Sequence, residues 1–182
     1  MPSADIDACC LIDLLSSGHA EAILQACGFT WHLPVAVQSE VLYIRQPDPA
    51  QAGKLVLVKV DLSPLIDGGT LSLCQPDNNQ EKDRFTQYAT QFRSDEEAMC
   101  IALAESRGWT IATDDRKAIR VSKEAGMTLL SCPQIMRTWS DAQTPEKAVL
   151  VKALQDVELY AQFRPNQSLP EHDWWDAQLG RT

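Results

Sequence analysis

Two short strand-like runs, the β-branched Trp109–Thr113 and Met127–Ser131, each lie between segments with helical apolar spacing. The order is helix Asp95–Arg107, strand, helix Asp115–Ala125, strand, helix Pro133–Trp139. Strands that alternate with helices require a parallel sheet covered on both faces, joined by right-handed crossovers. This alternation restricts the chain more than any other feature. The rest of the sequence extends it.

A first strand is expected near Ala4–Ala8, leading into a helix through "CCLIDLLSSG". A helix through "HAEAILQACG" and a β-rich "FTWHLP" follow. "VAVQSEVLYIR" reads as a helix with Val37, Val41 and Ile44 on one face. "KLVLVKVDL" and "TLSLC" are strand-like, with one helical turn at "SPLIDGG" between them. "NQEKDRFTQYATQF" is an amphipathic helix with an apolar stripe of Phe85, Tyr88 and Phe92. The expected fold class is α/β, a Rossmann-like α/β/α sandwich over residues 1–139. Residues 140–182 form a C-terminal helical extension, with one helix from about Pro145 to Phe163 and the tail "DWWDAQLG".

In such sheets ligands bind beyond the carboxyl ends of the strands, and acids cluster at that edge of the sequence. Asp7 ends the first strand; Asp114 and Asp115 end "WTIAT". Glu97 begins the helix "AMCIALA", and Glu40 lies in the helix after Pro34. Carboxylates drawn together repel, and each has its pKa raised unless a cation intervenes. An all-oxygen set without nearby His or Cys suits Mg²⁺ or Mn²⁺ rather than zinc. Capping explains single acids equally well, because Asp and Glu stabilise helix N-termini by about 0.5–2 kcal/mol. Asp13, in "LIDLL", reads as a surface or supporting residue.

The formal charge is −9, with 25 acids against 16 Lys and Arg, which excludes a broadly basic nucleic-acid surface but leaves room for a local one. Arg116, Lys117, Arg120 and Lys123 supply such a stripe just after Asp115. The six cysteines lack the C-x-x-C spacing of a zinc or redox site and read as reduced core residues. No run of 18 apolar residues spans a membrane, and the acidic start lacks the basic region of a secretory signal; a cytoplasmic location is expected.

Three stretches, "DIDACCLIDLL", "LPVAVQSEVLY" and "DEEAMCIALAESRGWTIATDDRKAIRVSKEAG", resemble in order the acidic motifs of PIN-domain proteins, over about residues 4–139. The branch most alike is related to the toxins of bacterial toxin–antitoxin pairs. The resemblance implies a Mg²⁺- or Mn²⁺-dependent endoribonuclease. Asp7 would be the first-strand ligand and Glu40 the second-helix acid. Glu97 would take the helix-start position and Asp115 the Thr-x-Asp position, with Asp114 able to share that role. Asp7, Glu97, Asp114 and Asp115 would hold the ion. Arg116, Lys117 and Arg120 would contact RNA.

The chain departs from the pattern at Ala8 and Cys9, where relatives carry Thr or Ser, and at Glu96, where they carry Gly. The resemblance leaves open an antitoxin-like protein partner, a homodimer, and a catalytically inactive PIN-like module that binds protein or RNA. A phosphorylatable receiver domain ranks last, for want of an acceptor Asp on a middle strand.

Overall fold

β1, Ser3–Ile6, is too short to stand alone and is buried because a strand lies on each side of it. β2 (Thr30–Pro34) flanks it on one side and β6 (Thr110–Ala112) on the other. β5 (Leu71–Cys74) pairs beyond β2, and β7 (Leu129–Leu130) beyond β6. All four pairings are parallel, and the order is β5-β2-β1-β6-β7. The chain is therefore α/β, with a five-stranded parallel sheet flanked by helices in a Rossmann-like α/β/α arrangement, and further helices follow toward the C-terminus. The structure is a computed structural model and describes every residue except Glu40, Val41 and Thr182.

The chain divides into two compact units that interleave along the sequence. The first comprises Met1–Leu11, Gly28–Val41 and Asp61–Ser131, and holds the whole sheet. Its helices are α3 (Val35–Ser39), α4 (Ser63–Asp67), α5 (Asn79–Ala89), α6 (Asp95–Arg107) and α7 (Arg116–Glu124). The first residues of α1 (Ala8–Ser16) also belong to it. α6 packs on β1, β2 and β6, and its face from Ala98 to Ala104 is buried except at Met99. Small residues there let the helix approach the sheet closely. Ser94 caps the start of α6, and Gly108 ends it in the left-handed region at φ 65°, where a side chain would be strained.

His32 of β2 stacks on Trp109, the residue before β6, with ring centroids 3.8 Å apart, and Arg107 covers the Trp109 ring at 4.9 Å. Arg107 is fixed in turn by Glu81, at 2.7 and 2.9 Å, and by the Gln75 carbonyl at 2.8 Å. These bonds tie α5 to the end of α6.

The second unit comprises Ile12–Cys27, Leu42–Val60 and Cys132–Thr182. α2 (Ala20–Ala26) packs on α8 (Cys132–Gln143), with His19 stacked on Trp139 at 5.5 Å. α9 (Lys147–Asp156) runs into a π-helical turn, Val157–Ala161. α10 (His172–Gln178) buries Trp175, whose indole donates to Glu158 at 3.0 Å.

One expectation changes here. The helix starting at Val35 ends at Ser39, and Tyr43–Pro47 is a strand, β3, paired antiparallel with β4 (Leu55–Lys59). Ile44 thus faces Val58 across a hairpin instead of lying on a helix face. The aromatic and β-branched residues on both strands suit a pleated ribbon, and pairing overrides the helical spacing. Val41, placed on the same helical face, lies outside the described residues.

Candidate metal centre

The carboxyl edge of β1 and β6 is where the chain gathers acids. Asp7 follows β1 directly, its amide bonded to the Ala112 carbonyl at 3.1 Å. Its Oδ1 accepts the Cys10 amide at 3.0 Å, so it caps α1 as a strand-end aspartate should. The same oxygen accepts the Cys9 thiol at 3.0 Å. Its Oδ2 accepts the hydroxyl of Thr113, the residue just past β6. Cys9 and Thr113 together supply donors at the place where the resemblance predicts a hydroxyl beside the first aspartate.

Asp115 caps α7, with Oδ1 accepting the Lys117 and Ala118 amides, both at 2.8 Å. Its own amide bonds to Thr113 Oγ1 at 3.2 Å. Oδ2 of Asp115 makes no hydrogen bond among the described residues. Glu97 stands three residues after the cap of α6, and its amide bonds to Ser94 Oγ at 3.3 Å. Its half-buried carboxylate has no hydrogen bond or ion pair among the described residues.

The acids sense one another. Burial pushes the Asp7 carboxyl up, three hydrogen bonds oppose this, and Asp115 adds to it. Glu97 is pushed up first by burial, then by Asp115 and Asp7, with Lys117 opposing. Asp114 lies half-buried between Thr113 and Asp115. Glu40 lies outside the described residues.

Asp7, Glu97 and Asp115 do not bring three ligand atoms within 4.8 Å of one another. Their donor chemistry still fits a hard divalent cation: all are oxygens, their charges repel, and one carboxylate is unbonded. Mg²⁺ usually retains several waters and takes only one or two carboxylates directly, so a wide acid set suits it.

No family model matches the chain, and neither a curated protein nor a solved structure is significantly similar to it.

Two residues of this edge were missed in the sequence. Thr113 joins Asp7 to Asp115, and its only signal was its place directly before the acid pair. Asp5 is fully buried, and neither of its carboxylate oxygens has a side-chain or main-chain hydrogen-bond partner of normal geometry among the described residues. Burial, then Asp7, pushes its carboxyl well up, which favours the neutral acid. The two-residue alternation from Asp5 to Asp7 was the available signal. Asp13, expected at the surface or in support, is buried.

The basic helix divides by face. Arg116, Arg120 and Lys123 are exposed and make no ion pair or hydrogen bond among the described residues. Their spacing of four and three residues puts them on one stripe of α7. Lys117 turns away, donating to the Gln91 carbonyl and lying 4.6 Å from the centre of the Phe92 ring. Among the described residues no helix is long and apolar enough to cross a membrane.

Proposed function

We propose that this chain is a PIN-like ribonuclease that hydrolyses RNA phosphodiester bonds with Mg²⁺ or Mn²⁺. The observation that carries the reading is Glu97. Capping accounts for Asp7 and Asp115, each through one oxygen. It does not account for a half-buried, unbonded carboxylate on a third segment that both of them push up. A cation removes that repulsion.

A bound divalent ion supplies a nucleophilic water at neutral pH and neutralises charge on the phosphate. Asp7, Glu97 and Asp115 would hold it, with Asp114 and Glu40 as further candidates. Thr113, Cys9 and the Cys10 amide orient Asp7, and Thr113 also aligns the start of α7. Arg116, Arg120 and Lys123 are placed on one stripe to take phosphate oxygens and so keep the RNA in register. We place the protein in the cytoplasm, where six free cysteines remain reduced. An antitoxin-like partner or a second copy would regulate access.

The deciding experiment is cleavage of a mixed structured and single-stranded RNA pool by wild type and Asp7→Asn, with Mn²⁺, Mg²⁺ or chelator. Metal-dependent cleavage confined to the wild type supports the reading. Equal cleavage by both proteins, or none by either, overturns it. The second reading, a noncatalytic PIN-like module that binds protein or RNA, is favoured by the lack of three ligand atoms within 4.8 Å of one another among Asp7, Glu97 and Asp115. It predicts RNA or protein capture without cleavage.

A further inference from the structure

Lys117 is the second residue of α7 and stands two positions after Asp115. Its neighbours Arg116 and Arg120 face solvent. A lysine in that company is expected to do the same, because an ammonium is strongly hydrated. Instead it donates to the main-chain carbonyl of Gln91 and lies over the Phe92 ring at 4.6 Å. Phe92 is itself buried.

Gln91 and Phe92 belong to the short connection between α5 and α6. Two residues further on, Ser94 caps α6 and holds the amide of Glu97. The path from the Lys117 contact to Glu97 follows the chain for two residues, from Phe92 to Ser94, and then the Ser94 bond to the Glu97 amide. On the other side, the Lys117 amide is itself one of the two that Asp115 Oδ1 accepts. Lys117 therefore joins the segment that presents Glu97 to the residue that fixes Asp115. Lys117 also lies close enough to Glu97 for its charge to oppose burial and the neighbouring acids.

From this placement we infer that Lys117 is a positioning residue: it fastens the start of α6 to the start of α7 and so sets the spacing of Glu97 and Asp115 for a divalent cation, without touching RNA. The inference rests on the metal-site reading above. It separates Lys117 from the phosphate-contacting stripe with which its sequence position groups it.

The test is Mn²⁺ binding without RNA, read from the electron paramagnetic resonance signal of free Mn²⁺. Residues that orient metal ligands from behind typically contribute 10–100-fold in affinity. Lys117→Met, which keeps the aliphatic stem, is expected to weaken Mn²⁺ binding about tenfold. Lys117→Gln, which retains a donor for the Gln91 carbonyl, loses less. Lys117→Arg, which restores the charge over Phe92, recovers most of it. Arg120→Met leaves Mn²⁺ affinity unchanged and weakens RNA binding. Should Lys117→Met fail to fold, the Gln and Arg variants carry the comparison.

Wild-type Mn²⁺ affinity in Lys117→Met overturns the positioning role, and reduced RNA binding alongside it makes Lys117 an RNA contact. Loss of Mn²⁺ binding that Arg does not restore also overturns it. Failure of the wild type to bind Mn²⁺ at all removes the metal-site reading itself, a result distinct from either of these.

Discussion

Thr113 gives its hydroxyl proton to Asp7 Oδ2 and takes the Asp115 amide proton at 3.2 Å, so one side chain joins the ends of two neighbouring strands. The bond to Asp7 spans 106 residues of sequence and uses the hydroxyl's one proton. A valine in its place has nearly the same shape and neither bond. Thr113→Val is expected to lower stability by about 1–2 kcal/mol, the size of a lost buried hydrogen bond and a stranded acceptor. Mn²⁺ affinity should fall about tenfold, as for other groups that orient a ligand. Thr113→Ser keeps the hydroxyl and should stay near wild type in both chemical denaturation and Mn²⁺ titration.

Because Asp7, Glu97 and Asp115 repel without a counter-ion, the free protein should gain stability from a divalent metal. A ligand at one hundred times its dissociation constant adds about 2.7 kcal/mol. For a chain of this size that raises the melting temperature by about 5–10 °C. Asp7→Asn keeps an acceptor for the Cys10 amide and relieves the repulsion but loses the acceptor for the Thr113 hydroxyl, so each protein's melt with the ion is compared with its own melt in chelator. Asp7→Asn should gain little from Mn²⁺. Thermal melts of both proteins, with and without the ion, check this.

Glu81 provides a stability prediction remote from the acid edge. The Arg107 guanidinium holds its carboxyl down, from 4.5 to about 2, and the Asp77 amide assists. A depressed carboxylate contributes stability that is present above its unfolded value and lost as pH falls through the folded one. Wild type should therefore exceed Glu81→Gln in stability at pH 6, by about 2 kcal/mol. That advantage should shrink between pH 4.5 and about 2. Urea denaturation of both proteins at successive pH values measures it. An advantage constant down to pH 2 would refute the ion-pair account.

The stripe on α7 predicts a particular salt response in RNA binding. Each phosphate contact to a single strand contributes about 0.7 to the slope of log affinity against log salt. Arg116→Met, Arg120→Met and Lys123→Met should each lower that slope by about 0.7. They should leave Mn²⁺ affinity intact. A slope unchanged in all three would remove α7 from the RNA surface.

Much of the fold was legible because it depends on local periodicity. The alternation of helical and strand-like runs around Trp109 and Met127 is the parallel sheet seen at β6 and β7. Ser94 as the cap of α6 and Gly108 as its stop were not among the expected signals, although each acts within a few residues of itself. Asp7 and Asp115 were legible at strand ends because a strand-to-helix turn requires a cap there. The hairpin was not. Tyr43–Pro47 carries a helical spacing, and only the partner strand Leu55–Lys59 decides against it.

The sequence by itself determined the strands of the parallel sheet and most of its helices, and placed Asp7 and Asp115 at strand ends. Those features come from backbone preference and near-neighbour bonding, which a linear string contains. Tertiary structure alone decided that Thr113 reaches Asp7, that Asp5 is fully buried, and that Lys117 turns from its basic neighbours to Gln91. Each of these depends on which segments pack together. Burial and long-range hydrogen bonds are set by that packing, and no local pattern encodes them.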